Sequence, residues 1–160
     1  MSKLYALKYK TRGDASPRGK RKVYYTAHES EREVYFEDIC GDILRLQDCA
    51  IWYDGGEGEE VDEQSREQDL ADMNLFVIPV TARLLQNPEC QAIQEFKYAV
   101  AHHIPVLPLM QEGGLDELFS RVCGILKAIN FSIAIVNNLL IVRLYKPRAA
   151  INKILYSKGF

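Results

Sequence analysis

The sequence predicts a parallel α/β domain, a doubly wound sheet with helices on both of its faces. Three observations predict it. Short apolar runs rich in β-branched and aromatic residues recur at 22–26, 49–53, 75–80 and 104–110. Stretches with apolar residues at three- and four-residue intervals lie between them, and the connections between strands are too long for hairpins, so successive strands need crossovers. At 160 residues, with 48% apolar and 26% charged, the chain has material for one hydrophobic core.

The elements follow in order. Residues 1–20 carry Gly13, Asp14, Ser16, Pro17 and Gly19 among scattered basics, and are expected to form a flexible basic arm because so little apolar surface offsets their ordering entropy. Lys22 to Thr26 (KVYYT) reads as the first strand, opening into the polar run Ala27 to Glu31. From Glu33 to Leu46, Val34, Phe36, Ile39, Cys40, Ile43 and Leu44 form one helical stripe. Cys49 to Tyr53 (CAIWY) is a second strand stopped by Asp54-Gly55-Gly56, followed by an acidic loop, Glu57 to Glu63, and a short helix near Ser65 to Met73. Leu75 to Val80 (LFVIPV) is a third strand, with Pro79 expected near its end because proline donates nothing to the ladder.

Glu89 to His103 places Cys90, Ile93, Phe96, Val100 and Ala101 on one helical face, and Ile104 to Met110 supplies a fourth strand. Leu115 to Lys127 reads as helical, and Phe131 to Tyr145 as two apolar runs about an Asn137-Asn138 hairpin turn. The domain is expected to span 21–145, with 146–160 a basic C-terminal segment. In such a sheet a ligand lies at the carboxyl ends of the strands. That puts the segments 26–31, 54–63, 81–85 and 111–114 along one rim.

The net charge of −2 conceals an uneven distribution. Residues 1–22 hold eight Lys/Arg and one acid, residues 29–72 hold sixteen acids and three Arg, and no acid follows Leu118. An acidic middle argues against nucleic acid as a partner, because a phosphate footprint needs bases gathered on one face. The four cysteines lie far apart, without metal-ligand spacing, so no metal site and a reduced, cytoplasmic setting are expected. The Phe131 to Tyr145 stretch is broken by its two asparagines and falls short of a membrane span, so no membrane partner is expected.

The segment order and the texture of KVYYT (22–26), CAIWYD (49–54), LFVIPVT (75–81) and ECQAIQEFKYAVAHHIPVLPLM (89–110) resemble Toll/interleukin-1 receptor (TIR) domains, especially bacterial ones from defence and signalling proteins. The resemblance covers roughly residues 20–124. It implies a flavodoxin-like parallel sheet with helices on both faces, homo-oligomers or other TIR domains as partners, and hydrolysis or cyclisation of NAD+ as the activity. NAD+ would be a substrate, with no further cofactor. In TIR enzymes a glutamate on the helix before the fourth strand faces the substrate, and Glu95 falls at the matching place. Two departures stand out: Gln91 replaces the tryptophan that many such enzymes carry one helical turn earlier, and the fifth strand and last helix of the family are hard to match beyond Cys123.

The implied chemistry is coherent with one carboxylate. Ordinary glycoside hydrolysis needs a second group to protonate the leaving oxygen. Nicotinamide leaves a pyridinium as a neutral molecule, so what remains is to orient the ribose and stabilise an oxocarbenium-like transition state, which Glu95 does electrostatically in a sheltered cleft. Around it, His28 and Glu29 on the first loop are candidate ribose or phosphate contacts. Trp52 and Tyr53 are candidate stacking aromatics at a strand end, and Asp54 and Gln91 candidate pocket residues. Arg83 is the candidate counter-charge for a pyrophosphate near the acidic run. His102 and His103 are adjacent on a helix, about 100° apart, which suits helix-end polarity rather than a shared metal.

Three other readings compete with it. A TIR interaction module without catalysis would use segment 54–63 for homotypic assembly, and Gln91 favours it. A phospho-receiver needs carboxylates after the first strand and an aspartate ending the third, where the chain has Thr26-Ala27-His28 and Val80-Thr81. A nucleoside deoxyribosyltransferase-like enzyme also uses a glutamate for N-glycosidic chemistry in a related sheet.

Overall fold

The computed structural model describes residues 3–112, 134–136 and 139–141. Nine strands appear among them: β1 (Leu4–Tyr5), β2 (Lys8–Thr11), β3 (Arg21–Tyr25), β4 (Cys49–Tyr53), β5 (Glu60–Val61), β6 (Leu75–Val80), β7 (Val106–Met110), β8 (Ala134–Val136) and β9 (Leu139–Ile141). The α-helices are α1 (Arg32–Leu46), α2 (Glu63–Ala71), the single turn α3 (Ala82–Leu85) and α4 (Gln91–Ala101). A seven-stranded sheet runs in the order β2-β4-β3-β6-β7-β9-β8. The pairs β4–β3, β3–β6, β6–β7 and β7–β9 are parallel, and the outer pairs β2–β4 and β8–β9 are antiparallel. The parallel strands thus follow the flavodoxin-like order, winding outward in both directions from β3, with the reversal of direction between β3 and β6.

The alternation of strand side chains sorts the core into two layers. On one face Tyr24, Phe76, Ile78, Val80 and Val106 pack against Leu70 of α2 and Ala92, Ile93, Phe96 and Ala99 of α4. On the other, Val23, Tyr25, Ile51, Val77 and Leu107 pack against Ile39, Cys40, Ile43 and Leu44 of α1. Strands covered on both faces are apolar throughout, and all six residues of β6 are buried. Pro79 sits fifth in β6. Val77 faces β3, since its carbonyl accepts the Thr26 amide. Pro79 has the same parity and points past the end of β3, where a missing N–H costs no ladder bond.

The N-terminal segment is not a loose arm. Lys8–Thr11 adds antiparallel to β4, with Tyr9 opposite Trp52, and Leu4–Tyr5 pairs with β5 inside the acidic loop. The basic residues find acids there: Lys3 bonds Glu60 at 2.8 Å, Lys8 bonds Glu57 at 2.8 Å and Lys10 bonds Glu37 at 3.1 Å. Edge pairing satisfies the backbone of both segments, an energy that local composition does not register. The hairpin expected around Asn137-Asn138 is present as β8 and β9, and β9 joins β7 through Val106 opposite Leu139. The helix expected over Leu115 to Lys127 and the segment 146–160 lie outside the described residues. No helix among the described residues is long and apolar enough to cross a membrane.

Candidate active site

The carboxyl end of β3 brings four elements together on the face covered by α2 and α4. Tyr24 and Thr26, two residues apart, project to that face. Tyr24 stands opposite Trp52 in the register, so Trp52 and Asp54, at and just beyond the end of β4, share it. From above come Arg66, on the stripe of α2 that also buries Leu70, and Glu95, on the buried stripe of α4.

These side chains form one hydrogen-bonded unit around a carboxylate that is 3% exposed. The Tyr24 hydroxyl donates to Glu95 Oε2 at 2.7 Å, Arg66 Nη1 donates to the same oxygen at 2.9 Å, and the Thr26 hydroxyl donates to Oε1 at 2.8 Å. Arg66 Nη2 bridges to Asp54 Oδ2 at 2.6 Å and to the Tyr5 carbonyl at 2.7 Å. Asp54 in turn accepts the amides of Tyr5 at 3.1 Å and Gly56 at 2.7 Å. Gly56 has a positive φ of 76°, and a Cβ there would meet the Arg32 guanidinium at 2.8 Å, so the turn requires glycine.

The electrostatics follow from burial and pairing. Burial, reinforced by the Glu95 charge, holds the Tyr24 hydroxyl well above its ordinary value, so it remains a donor. Burial alone would weaken the Arg66 guanidinium's hold on its proton, but the Glu95 charge and the bonds to Asp54 and Glu95 outweigh it and raise its pKa. Burial pushes the Asp54 carboxyl up, yet the bonds from Arg66, Gly56 and Tyr5 prevail and leave it below the usual carboxylate value. Two buried carboxylates thus share one buried cation, an arrangement that is costly to assemble, contributes little net stability, and in a cleft marks a candidate functional site.

Glu95 opens on two adjoining hollows. The outer is a cleft of about 1170 Å³ between the segments 60–70 and 86–98, and the inner, of about 50 Å³, lies over Thr26, Arg32 and Asp54. Oε1 accepts only the Thr26 hydroxyl among the described residues, leaving a lone pair for a ligand. Among the described residues no group of three His, Cys, Asp or Glu could hold a metal ion.

The fold resembles a solved one. The chain is similar to the CMP N-glycosidase BcmB of Clostridium botulinum, with a TM-score of 0.51 and 13% identity over 85% of this chain and 99% of that one. No protein-family model matches the sequence. No curated protein matches it either. At 13% identity the likeness speaks for the fold.

The structure brings several of the residues chosen from sequence together and leaves others apart. His28, Glu29 and Gln91 line both hollows beside Glu95, and Asp54 lines the inner one. Trp52, Tyr53 and Arg83 line neither. The Trp52 ring is covered by Tyr9, with ring centroids 5.3 Å apart, and by the Lys22 ammonium 5.9 Å from its centroid. Tyr53 has the opposite parity and packs on Phe36 on the α1 side. Arg83 bonds the Ser30 hydroxyl at 3.1 Å, and the acidic run is met by Lys3, Lys8 and Arg66 instead. Cys40 and Cys49 are buried free thiols whose protons burial holds on, that of Cys49 up to about 11.

Sequence reasoning missed Arg66, Tyr24 and Thr26. Arg66 was legible in principle: it lies four residues before Leu70, on the stripe that faces the core.

Proposed function

We propose that the chain cleaves the N-glycosidic bond of a nucleoside-containing substrate, with Glu95 as the carboxylate that acts at ribose C1′. The observation that carries this reading is the buried Glu95, held by Tyr24, Thr26 and Arg66 at the carboxyl end of the central strand and opening on a cleft large enough for a nucleotide-sized ligand. The fold shared with an N-glycosidase of CMP supports it.

In this reaction the C1′–N bond breaks and its electron pair leaves on the base. Positive charge develops on C1′ and the ring oxygen, where the fixed carboxylate of Glu95 stabilises it without reorganising. Water adds at C1′ and gives up a proton to Glu95. Tyr24, Thr26 and Arg66 are positioning residues, since they bind Glu95 rather than the sugar. A nicotinamide departs neutral; other bases need a proton. His28, which lines both hollows, is the donor at hand: as the imidazolium it would give the proton from Nε2, with Nδ1 held 2.8 Å from the Ser30 hydroxyl.

A TIR-type NAD+ glycohydrolase or cyclase is the second reading, and the position of Glu95 on α4, the helix before β7, opening on a cleft at the carboxyl ends of the strands, favours it. The buried carboxylate pair sharing one cation favours catalysis over a purely associative role. Purified protein incubated with nucleosides, nucleotides and NAD+ should release free base from at least one, and Glu95→Gln should lower that turnover by about 100-fold or more while the circular dichroism spectrum stays unchanged. Full activity in the variant, or no base released from any substrate class, overturns the proposal.

A further inference from the structure

We propose that the cleft takes an uncharged nucleoside in preference to its 5′-phosphate or to a dinucleotide, an inference that rests on the N-glycosidic reading above. Two features of the outer cleft carry it. The first is charge. Among the described residues, Glu29, Glu60, Asp62, Glu63, Glu67 and Glu89 line it together with Glu95, against Lys3 and Arg66. Both cations are already engaged: Lys3 bonds Glu60 at 2.8 Å, and Arg66 is held between Glu95 and Asp54. A phosphate entering that field is repelled from every wall, whereas a neutral ligand is indifferent to it.

The second feature is the chemistry of the opposite wall. Gln86, Asn87, Gln91 and Gln94 line the cleft from the loop before α4 and its first turn. Carboxamides offer a donor and an acceptor side by side, the pairing that reads the edge of an uncharged base. Asn87 and Gln94 are already oriented, donating to the carbonyls of Arg83 at 2.9 Å and Pro88 at 3.2 Å, with their oxygens left to accept. With the ribose at Glu95, the base extends along this wall. Arg32 is the cation a 5′-phosphate would have to reach, and it lines the inner hollow, whose volume of about 50 Å³ holds a few waters.

The test is a turnover panel: ribo- and deoxyribonucleosides of the common bases, their 5′-monophosphates and NAD+, each at low and at high ionic strength, with wild type and with the double variant Glu63→Lys/Glu89→Lys. Both positions are exposed and on opposite walls, outside the hydrogen-bonded unit around Glu95. The expected result is a kcat/KM for the preferred nucleoside about tenfold or more above that of its monophosphate at low salt, the gap narrowing as salt screens the walls. The double variant should raise monophosphate turnover relative to nucleoside turnover at low salt, and an unchanged ratio counts against the charged walls as its cause. A monophosphate or NAD+ cleaved as well as or better than any nucleoside at low salt overturns this inference and leaves the N-glycosidic reading standing. Base released from none of them overturns both.

Discussion

Replacing Arg66 by methionine removes the one cation shared by two buried carboxylates while keeping most of the side chain's volume. Arg66 is 2% exposed, and its guanidinium holds Glu95 at 2.9 Å, Asp54 at 2.6 Å and the Tyr5 carbonyl at 2.7 Å. Without it, Glu95 keeps the Tyr24 and Thr26 hydroxyls and Asp54 keeps the amides of Tyr5 and Gly56, so both remain hydrogen-bonded but uncompensated in charge. Breaking a buried pair from one side costs about 3–5 kcal/mol. For a domain of this size that lowers Tm by roughly 6–20 °C, at about 2–4 °C per kcal/mol. The assay is urea unfolding at pH 7, followed by far-ultraviolet dichroism, for wild type, Arg66→Met and the triple variant Arg66→Met/Asp54→Asn/Glu95→Gln. The triple variant, which leaves no buried charge in the unit, should recover a large part of the loss. A single variant within about 1 kcal/mol of wild type refutes the reasoning, and so does a triple variant no more stable than the single.

Further outcomes follow from the same unit. Tyr24→Phe deletes a hydroxyl donated to Glu95 Oε2; a bond to a charged group contributes about 1.5–3 kcal/mol, so stability should fall by that order in urea. Its kcat on the preferred substrate should drop about tenfold, and KM should change little, because the hydroxyl positions the carboxylate rather than the ligand. Asp54→Asn should alter the acid limb of stability. The wild-type carboxyl has its pKa depressed in the fold, so its contribution is present above the unfolded value near 4 and is lost as pH falls through the lower folded value. The urea midpoints of wild type and variant should therefore converge as pH drops below about 4, and a gap unchanged between pH 7 and pH 3 contradicts the pairing.

The interior strands were legible because parallel strands covered on both faces must be apolar at every position. Cys49 to Tyr53 and Leu75 to Val80 needed no partner to be recognised, and their bounds match β4 and β6. The N-terminal segment is illegible for the complementary reason. Lys8-Tyr9-Lys10-Thr11 has the composition of a solvated arm, and what orders it lies 27 or more residues away: the open edge of β4, the ring of Trp52, and acids at 37 and 57. An edge strand declares itself through its partner.

The site divides along the same line. Position 95 is a carboxylate among Ala92, Phe96 and Ala99, a charge on the apolar stripe of α4, and a buried charge needs a partner. That demand can be read from periodicity, and it also turns Arg66 inward on α2. Which partner answers it cannot be read locally, because Glu95 meets Arg66, Tyr24 and Thr26 across 29, 71 and 69 residues of chain. Parity explains the aromatics in the same way: adjacent residues on a strand face opposite sides, so Trp52 and Tyr53 could never both have flanked one ligand. Of the two, Trp52 shares the face of the site, yet the added strand β2 lays Tyr9 over it. The segment that composition assigns to solvent is therefore what closes this side of the sheet, and its Tyr5 backbone, bonded to both Asp54 and Arg66, ties the chain's beginning to the carboxylate at position 95.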